Sequence, residues 1–296
     1  MTQRFLKVAA IQHACTHDRG KNLANTIQGI HSAAKQGAKL IVLQELHTSL
    51  YFCQTQNPNL FDLAEPIPGP TTDQLSTIAD ELNVVIIASI FERRAAGLYH
   101  NTAVVLDTTK GIVGLYRKMH IPDDPGFHEK YYFTPGDLGF RPINTSIGRL
   151  GVQVCWDQWF PESARLMTLA GAELLVYPTA IGWDPADTHE EQQRQLDAWL
   201  TIQRAHAIAN GIPVISCNRS GFEADSSGNT QGIQFWGNSF IAGSQGEIIK
   251  TAPADQCAVL IAKINLSRTE QVRRIWPYLR DRRIDAYNGL SSRYLD

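Results

Sequence analysis

Gly148-Arg-Leu-Gly-Val-Gln-Val-Cys155-Trp-Asp-Gln-Trp-Phe-Pro161-Glu162 is the stretch whose reading decides the fold. It begins as a strand, with Leu150, Val152 and Val154 on one face and Gly151 and Gln153 on the other. The alternation breaks at Cys155. Pro161 suits the first turn of a helix, and Ser163 to Ala170 has helical composition. A cysteine at a strand-to-helix turn stands at a strand tip, where α/β folds place their sites. The nearby helix start favours its thiolate. A lone free cysteine is more often a buried small hydrophobe, so the neighbouring segments have to decide.

Towards the N-terminus, Lys7 to Gln12 reads as a strand and Lys21 to Gln36 as a helix, with Leu23, Ile27, Ile30 and Ala34 at helical spacing and Gly37 as its stop. Leu40 to Leu43 is a continuous apolar strand, as expected when both faces are covered, and Glu45 follows its end. This strand–helix–strand order argues for an α/β class. His47 to Pro70 and Met119 to Asp137 are long loops of the kind that line sites. Between them come a helix from Thr71 to Leu82, capped by Thr71 or Thr72, and an antiparallel pair, Val84 to Phe91 and Tyr99 to Leu106. The strand Ile112 to Arg117 follows, with Lys118 at its end.

Towards the C-terminus, Leu174 to Pro178 reads as a strand, followed by a polar loop to His189. Glu190 to Asn210 reads as a helix with Leu196, Trp199, Leu200, Ile202 and Ala205 on its apolar side. Val214 to Asn218, Asn238 to Ala242 and Val259 to Asn265 read as strands, and Gly221 to Gly232 as a flexible loop. No linker divides the chain, so residues 1–296 read as one domain. Its segment 266–296 mixes Trp276, Tyr278, Leu279 and Ile284 with arginines, which suits an interface arm better than a nucleic-acid patch.

The totals narrow the function. With 296 residues, 43% hydrophobic, and a net charge of -2, the chain is a globular protein and no strongly basic nucleic-acid binder. No apolar run has the length of a membrane helix and no signal-peptide core follows Met1. The five cysteines, Cys15, Cys53, Cys155, Cys217 and Cys257, form no CxxC pair, which points to free thiols in a reducing cytoplasm.

Three reactive side chains, Glu45, Lys118 and Cys155, then stand at three strand ends, which converge when strands point the same way. Glu45 can act as the base that a thiol nucleophile needs. Lys118 and the backbone N–H of Trp156 can hold the oxyanion of a tetrahedral intermediate. Singly, Glu45 is a cap or surface carboxylate and Lys118 belongs to a solvated Arg117-Lys118 pair. A cysteine–histidine dyad with His100, His120, His128 or His206 remains open on spacing. A metal site from Cys155, His120 and His128 lacks a short-spaced ligand pair, so no metal is expected.

Leu43-Gln-Glu45, Tyr116-Arg-Lys-Met-His-Ile121 and Val154-Cys-Trp-Asp-Gln-Trp-Phe-Pro-Glu162 resemble, in order and over nearly the whole chain, the nitrilase superfamily of carbon–nitrogen hydrolases. The resemblance implies a four-layer α-β-β-α sandwich, a Glu45–Lys118–Cys155 catalytic set without a cofactor, Glu129 as a second glutamate orienting the lysine, and a homo-oligomer. Leu50-Tyr-Phe-Cys-Gln54, the run Ile121 to Asp137 and Trp276-Pro-Tyr-Leu-Arg-Asp-Arg-Arg283 are similar to a branch that hydrolyses a carbamoylated diamine in polyamine synthesis. That branch often has glycine where Asp124 stands. The alternative within the superfamily is a carbamoyl-β-alanine or ω-amide hydrolase. A diamine substrate implies acceptors for a far ammonium, for which Asp123, Asp124, Asp184, Asp187, Glu190 and Glu191 are candidates. Tyr51, Trp156, Trp159 and Trp183 are candidates to line its methylenes.

Overall fold

The computed structural model describes residues 3–225, 227–228 and 230–295. In chain order its elements are β1 (Phe5–Gln12), α1 (Arg19–Lys35), β2 (Leu40–Leu43), α2 (Pro70–Leu82), β3 (Val85–Ala95), β4 (Leu98–Asp107), β5 (Gly111–Arg117), α3 (Glu129–Tyr132), β6 (Ile143–Thr145) and β7 (Gly148–Val152). They continue with α4 (Pro161–Leu169), β8 (Leu174–Pro178), β9 (Gly182–Trp183), α5 (His189–Asn210), β10 (Val214–Cys217), β11 (Ser220–Glu223), β12 (Ile233–Trp236), β13 (Phe240–Ala242), β14 (Ile248–Thr251), β15 (Ala258–Asn265) and α6 (Arg268–Ile275).

Among the described residues the strands form two six-stranded sheets, ordered β15-β1-β2-β3-β4-β5 and β14-β13-β10-β8-β7-β6, and a small sheet β11-β12-β9. Strand alternation sets the layers. Val8, Ala10, Leu40, Val42, Val85 and Ile87 share a core with Leu150, Val152, Leu174 and Val176 of the second sheet. The intervening Ala9, Ile11, Ile41, Leu43 and Ile86 turn the other way, onto Ile30 and Ala33 of α1 and Leu75 and Ala79 of α2. Met167 of α4 and Trp199 of α5 cover the far side of the second sheet, giving the order α-β-β-α. Each such enclosed Val or Leu contributes roughly 1.5–3 kcal/mol to holding the layers together.

The four-layer sandwich implied by the resemblance is the architecture found. Strand direction positions the site. β1, β2 and β3 are parallel, and two antiparallel steps through β4 return β5 to the same direction. β7, β8 and β10 are parallel in the second sheet. The converging tips therefore belong to two face-to-face sheets rather than to one.

Several local expectations change. Gly69, not Thr71 or Thr72, caps α2, while the Thr72 hydroxyl accepts the Gly69 N–H at 2.8 Å. Gly221 to Gly232 is not wholly loop, since β11 covers Ser220–Glu223. β6, β9 and β14 were invisible because strands of two to four residues give too little alternation to read. The buried side of α5 is Trp199, Gln203, His206, Ala207 and Asn210, while Ala205 is exposed. Polar groups tolerate that burial by bonding locally: Gln203 Nε2 to Trp199 O at 3.2 Å and Asn210 Nδ2 to His206 O at 2.9 Å. No described helix is long and apolar enough to cross a membrane.

Candidate active site

Glu45 lies two residues beyond β2, and its N–H donates to Thr179 O at 3.2 Å, tying it to the end of β8 in the opposite sheet. Lys118 follows β5 directly and donates its N–H to Asn101 O at 2.9 Å. Gly136 packs so closely against this turn that a Cβ there would stand 2.0 Å from Arg117 O, so no side chain fits. Cys155 has φ +44°, a left-handed conformation that costs a non-glycine residue strain of about 1 kcal/mol or more. That bend starts a 3₁₀ turn, Cys155–Trp159, ahead of α4. Asp157 secures the bend: Oδ2 accepts Val154 N at 3.1 Å and Tyr116 OH at 2.8 Å, while Oδ1 accepts His120 N at 3.0 Å.

The three tips meet. Lys118 Nζ is 2.9 Å from Glu45 Oε1 and 2.6 Å from Glu129 Oε2, with all three side chains buried. Asn101 Nδ2 donates to Glu45 Oε1 at 2.7 Å, and Tyr51 OH donates to Glu129 Oε1 at 2.6 Å. Glu45 Oε2 is buried with no hydrogen-bond partner among the described residues. Cys155 lies within the electrostatic reach of Glu45, Lys118 and Glu129, and its Sγ is 3.8 Å from Ala180 O.

Burial opposes ionisation here, and the charges answer it. Burial would lower the Lys118 pKa, but the Glu129 and Glu45 carboxylates outweigh it and hold the ammonium well above its ordinary range. Burial, reinforced by Glu45, pushes Glu129 up to about 7 despite Lys118. Burial and then the Glu45 charge raise the Cys155 thiol well above its ordinary value, with Lys118 only partly compensating. At rest the sulfur therefore keeps its proton despite the nearby helix start, and a base must remove it as the sulfur attacks.

Beside these groups opens a cavity of about 460 Å³, with Cys155 and Glu129 in its wall, Trp156, Trp159 and Trp236 along it, and Asp124, Asp184 and Asp187 among its lining.

The family model described as carbon-nitrogen hydrolase matches residues 7–274. This chain belongs to the carbon–nitrogen hydrolase family. The hydrolase is 44% identical to N-carbamoylputrescine amidase of Solanum lycopersicum, over 97% of this chain and 95% of that one. It is 40% identical to a citrullinase of Francisella tularensis, over 98% and 99%. It superposes on the crystal structure of a carbon-nitrogen hydrolase from Helicobacter pylori G27 with TM-score 0.96 and 53% identity, covering 99% and 100% of the two chains.

The hydrolase brings together Glu45, Lys118, Glu129 and Cys155, and it places Trp156, Trp159, Asp124, Asp184 and Asp187 on the cavity. Other expected substrate contacts fall elsewhere. Tyr51 is buried behind Glu129, where it orients that carboxylate rather than lining methylenes. Asp123 faces His128 Nδ1 at 3.5 Å. Glu190 and Glu191 pair with Arg194 on the outer face of α5. Trp183 packs on Trp236, 5.4 Å between ring centroids, and does not reach the lining. The candidate histidines are engaged away from the thiol: His120 with Asp157, His206 with Gln158 O and His100 with Thr134 O. Asn101 and Asp157 were missed. Asp157 stood two positions after Cys155 and offered a signal. Asn101, in mid-strand, offered none.

Proposed function

We propose that this carbon–nitrogen hydrolase cleaves the ureido group of N-carbamoylputrescine, giving putrescine, carbon dioxide and ammonia, a step of polyamine synthesis from arginine or agmatine in a reducing cytoplasm. Glu45, through its unpartnered Oε2, takes the Cys155 proton as sulfur attacks the ureido carbon. Lys118 Nζ and the Trp156 N–H hold the oxyanion. The C–N bond breaks, putrescine leaves with the proton, and a carbamoyl thioester remains on Cys155. Water activated by Glu45 releases carbamate, which falls to carbon dioxide and ammonia. Glu129 keeps Lys118 in place.

The observation that carries the substrate is the charge of the cavity. Asp124, Glu129, Asp184 and Asp187 line it, with no lysine or arginine among the described lining residues. An ammonium is favoured there. The α-carboxylate of citrulline, or the carboxylate of carbamoyl-β-alanine or an ω-amide substrate, finds no cationic partner. A charge-assisted hydrogen bond is worth about 1.5–3 kcal/mol, or roughly ten- to hundredfold in kcat/KM.

An ammonia-release panel tests this with N-carbamoylputrescine, citrulline, carbamoyl-β-alanine and glutamine. N-carbamoylputrescine should lead by at least tenfold. A lead for any carboxylate-bearing compound overturns the substrate assignment. Cys155→Ala should abolish turnover, and retained turnover would remove the thioester. The same reading treats residues 266–296 as the interface arm of a homo-oligomer, supported by the exposure of Ile275, Trp276, Ile284 and Leu290.

A further inference from the structure

Arg219 follows β10 and is completely enclosed, the most demanding place for a guanidinium. Its bonds show what it holds. Nη2 donates to Glu45 O at 3.0 Å and Leu46 O at 2.9 Å, and Nη1 donates to Ser49 O at 2.9 Å and Glu223 Oε1 at 2.6 Å. Leu46 has φ +49°, so the carbonyls of a left-handed bend and of the residue before it converge on one nitrogen. Such a bend persists only where its surroundings over-determine it. Glu223 Oε2 accepts Tyr51 N at 2.6 Å.

The bonds then close a ring. Tyr51 OH donates to Glu129, Glu129 holds Lys118, and Lys118 donates to Glu45, whose own carbonyl is on Arg219. A pair serving only the stability of its own segment would find partners anywhere. Here, apart from the bond within the pair, every side-chain hydrogen bond of Arg219 and Glu223 among the described residues runs to a residue between Glu45 and Tyr51, while the Arg219 guanidinium also lies 5.3 Å from the Phe235 ring centroid.

We propose that Arg219 and Glu223 are positioning residues for catalysis. They set the bend that aims the Glu45 carboxylate and the backbone of Tyr51, and through Tyr51 and Glu129 they fix where the Lys118 ammonium stands. This rests on the reading of Glu45, Lys118 and Cys155 as the reacting groups. The planar fork matters: lysine keeps the charge but cannot hold three carbonyls and a carboxylate at once.

The test compares wild type with Arg219→Lys, Glu223→Gln and the double variant Arg219→Met/Glu223→Gln, which leaves no unpaired buried charge. Three quantities are measured on each variant with a cooperative melt: kcat, KM, and the rate at which iodoacetamide alkylates Cys155, read by mass spectrometry. A misplacement near 1 Å costs on the order of 10²-fold, so kcat should fall by about that factor, with KM within about threefold. Cys155 alkylation should slow by about tenfold or more, because the base is no longer aimed. A folded variant that keeps wild-type kcat and alkylation rate overturns the proposal, as does a change confined to KM. If wild type hydrolyses none of the panel compounds, the proposed substrate fails, while the alkylation comparison still decides the positioning role.

Discussion

The Cys155 thiol is protonated in the resting site because burial and the adjacent Glu45 both disfavour its charge. The lysine stays charged because two carboxylates flank it. Burial pushes the Glu129 carboxyl up to about 7. Its ionised form anchors Lys118, so kcat/KM should rise with pH through that region. The Tyr51 hydroxyl donates to that ionised form and lowers its pKa. Tyr51→Phe removes the donor, so the Glu129 pKa should rise and the acidic limb should move to higher pH, with kcat above the limb lowered as well because Glu129 loses the hydroxyl that orients it under Lys118. A pH–rate profile from 5 to 9 (about two units either side of 7) checks this. A limb at the wild-type position would dissociate it from Glu129. The residues of this set that lie at strand ends were legible from the chain, because a strand tip followed by a loop is a local pattern. Tyr51 was legible only as an aromatic: that its hydroxyl reaches a glutamate 78 positions away depends on the fold.

At the scale of the element, the turn after β7 is held by one carboxylate with donors on both oxygens. Besides Val154 N, Tyr116 OH and His120 N, Asp157 Oδ1 receives His120 Nδ1 at 2.7 Å. An asparagine supplies one acceptor oxygen, so its amide N–H₂ must face a donor on one side or the other. Asp157→Asn should therefore cost about 1–3 kcal/mol in urea unfolding. It should also lower kcat more than KM, because Val154 and the strained Cys155 are adjacent. An unchanged midpoint and kcat would show that Asp157 is incidental to the turn. β2 and β8 have the bounds that their apolar runs predict, since continuous burial leaves a continuous signature. Among the described residues β9, β11 and β12 pair only with one another in a small antiparallel sheet, and nothing local in their sequences announces it. On α5, Leu196, Trp199 and Leu200 pack inward as their spacing predicts, while Gln203, His206 and Asn210 share the buried side although polar, each with one ring or amide nitrogen bonded to a carbonyl, so apolar periodicity does not reveal them.

For the whole molecule, two sheets facing each other bring a carboxylate and an ammonium from one to a sulfur from the other. The site therefore depends on how firmly the second sheet and its helices are held. α4 begins just after the Cys155 turn, and a cleft of about 330 Å³ between α4, α5 and the C-terminal segment is lined by Pro161, Arg165, Arg282, Tyr287 and Leu290. In the C-terminal segment Ile275 and Ile284 are each 71% exposed, and Leu166 and Leu169 of α4 are also open to solvent. Exposed apolar side chains of this kind are what the interface arm proposed above would cover. Light scattering at micromolar concentration should therefore give a mass above that of one 32.9 kDa chain. Placing charges in the arm with Ile275→Glu/Ile284→Glu should lower that mass, since burying two unpaired carboxylates is costly. Both positions are solvent-exposed in the single chain, so its fold should survive, and a cooperative melt checks that. Because the arm lies against the start of α4, the dissociated variant should lose kcat as the Cys155 turn loosens. A wild type that is monomeric throughout, or a charged variant of unchanged mass, would show that these side chains bind no second copy.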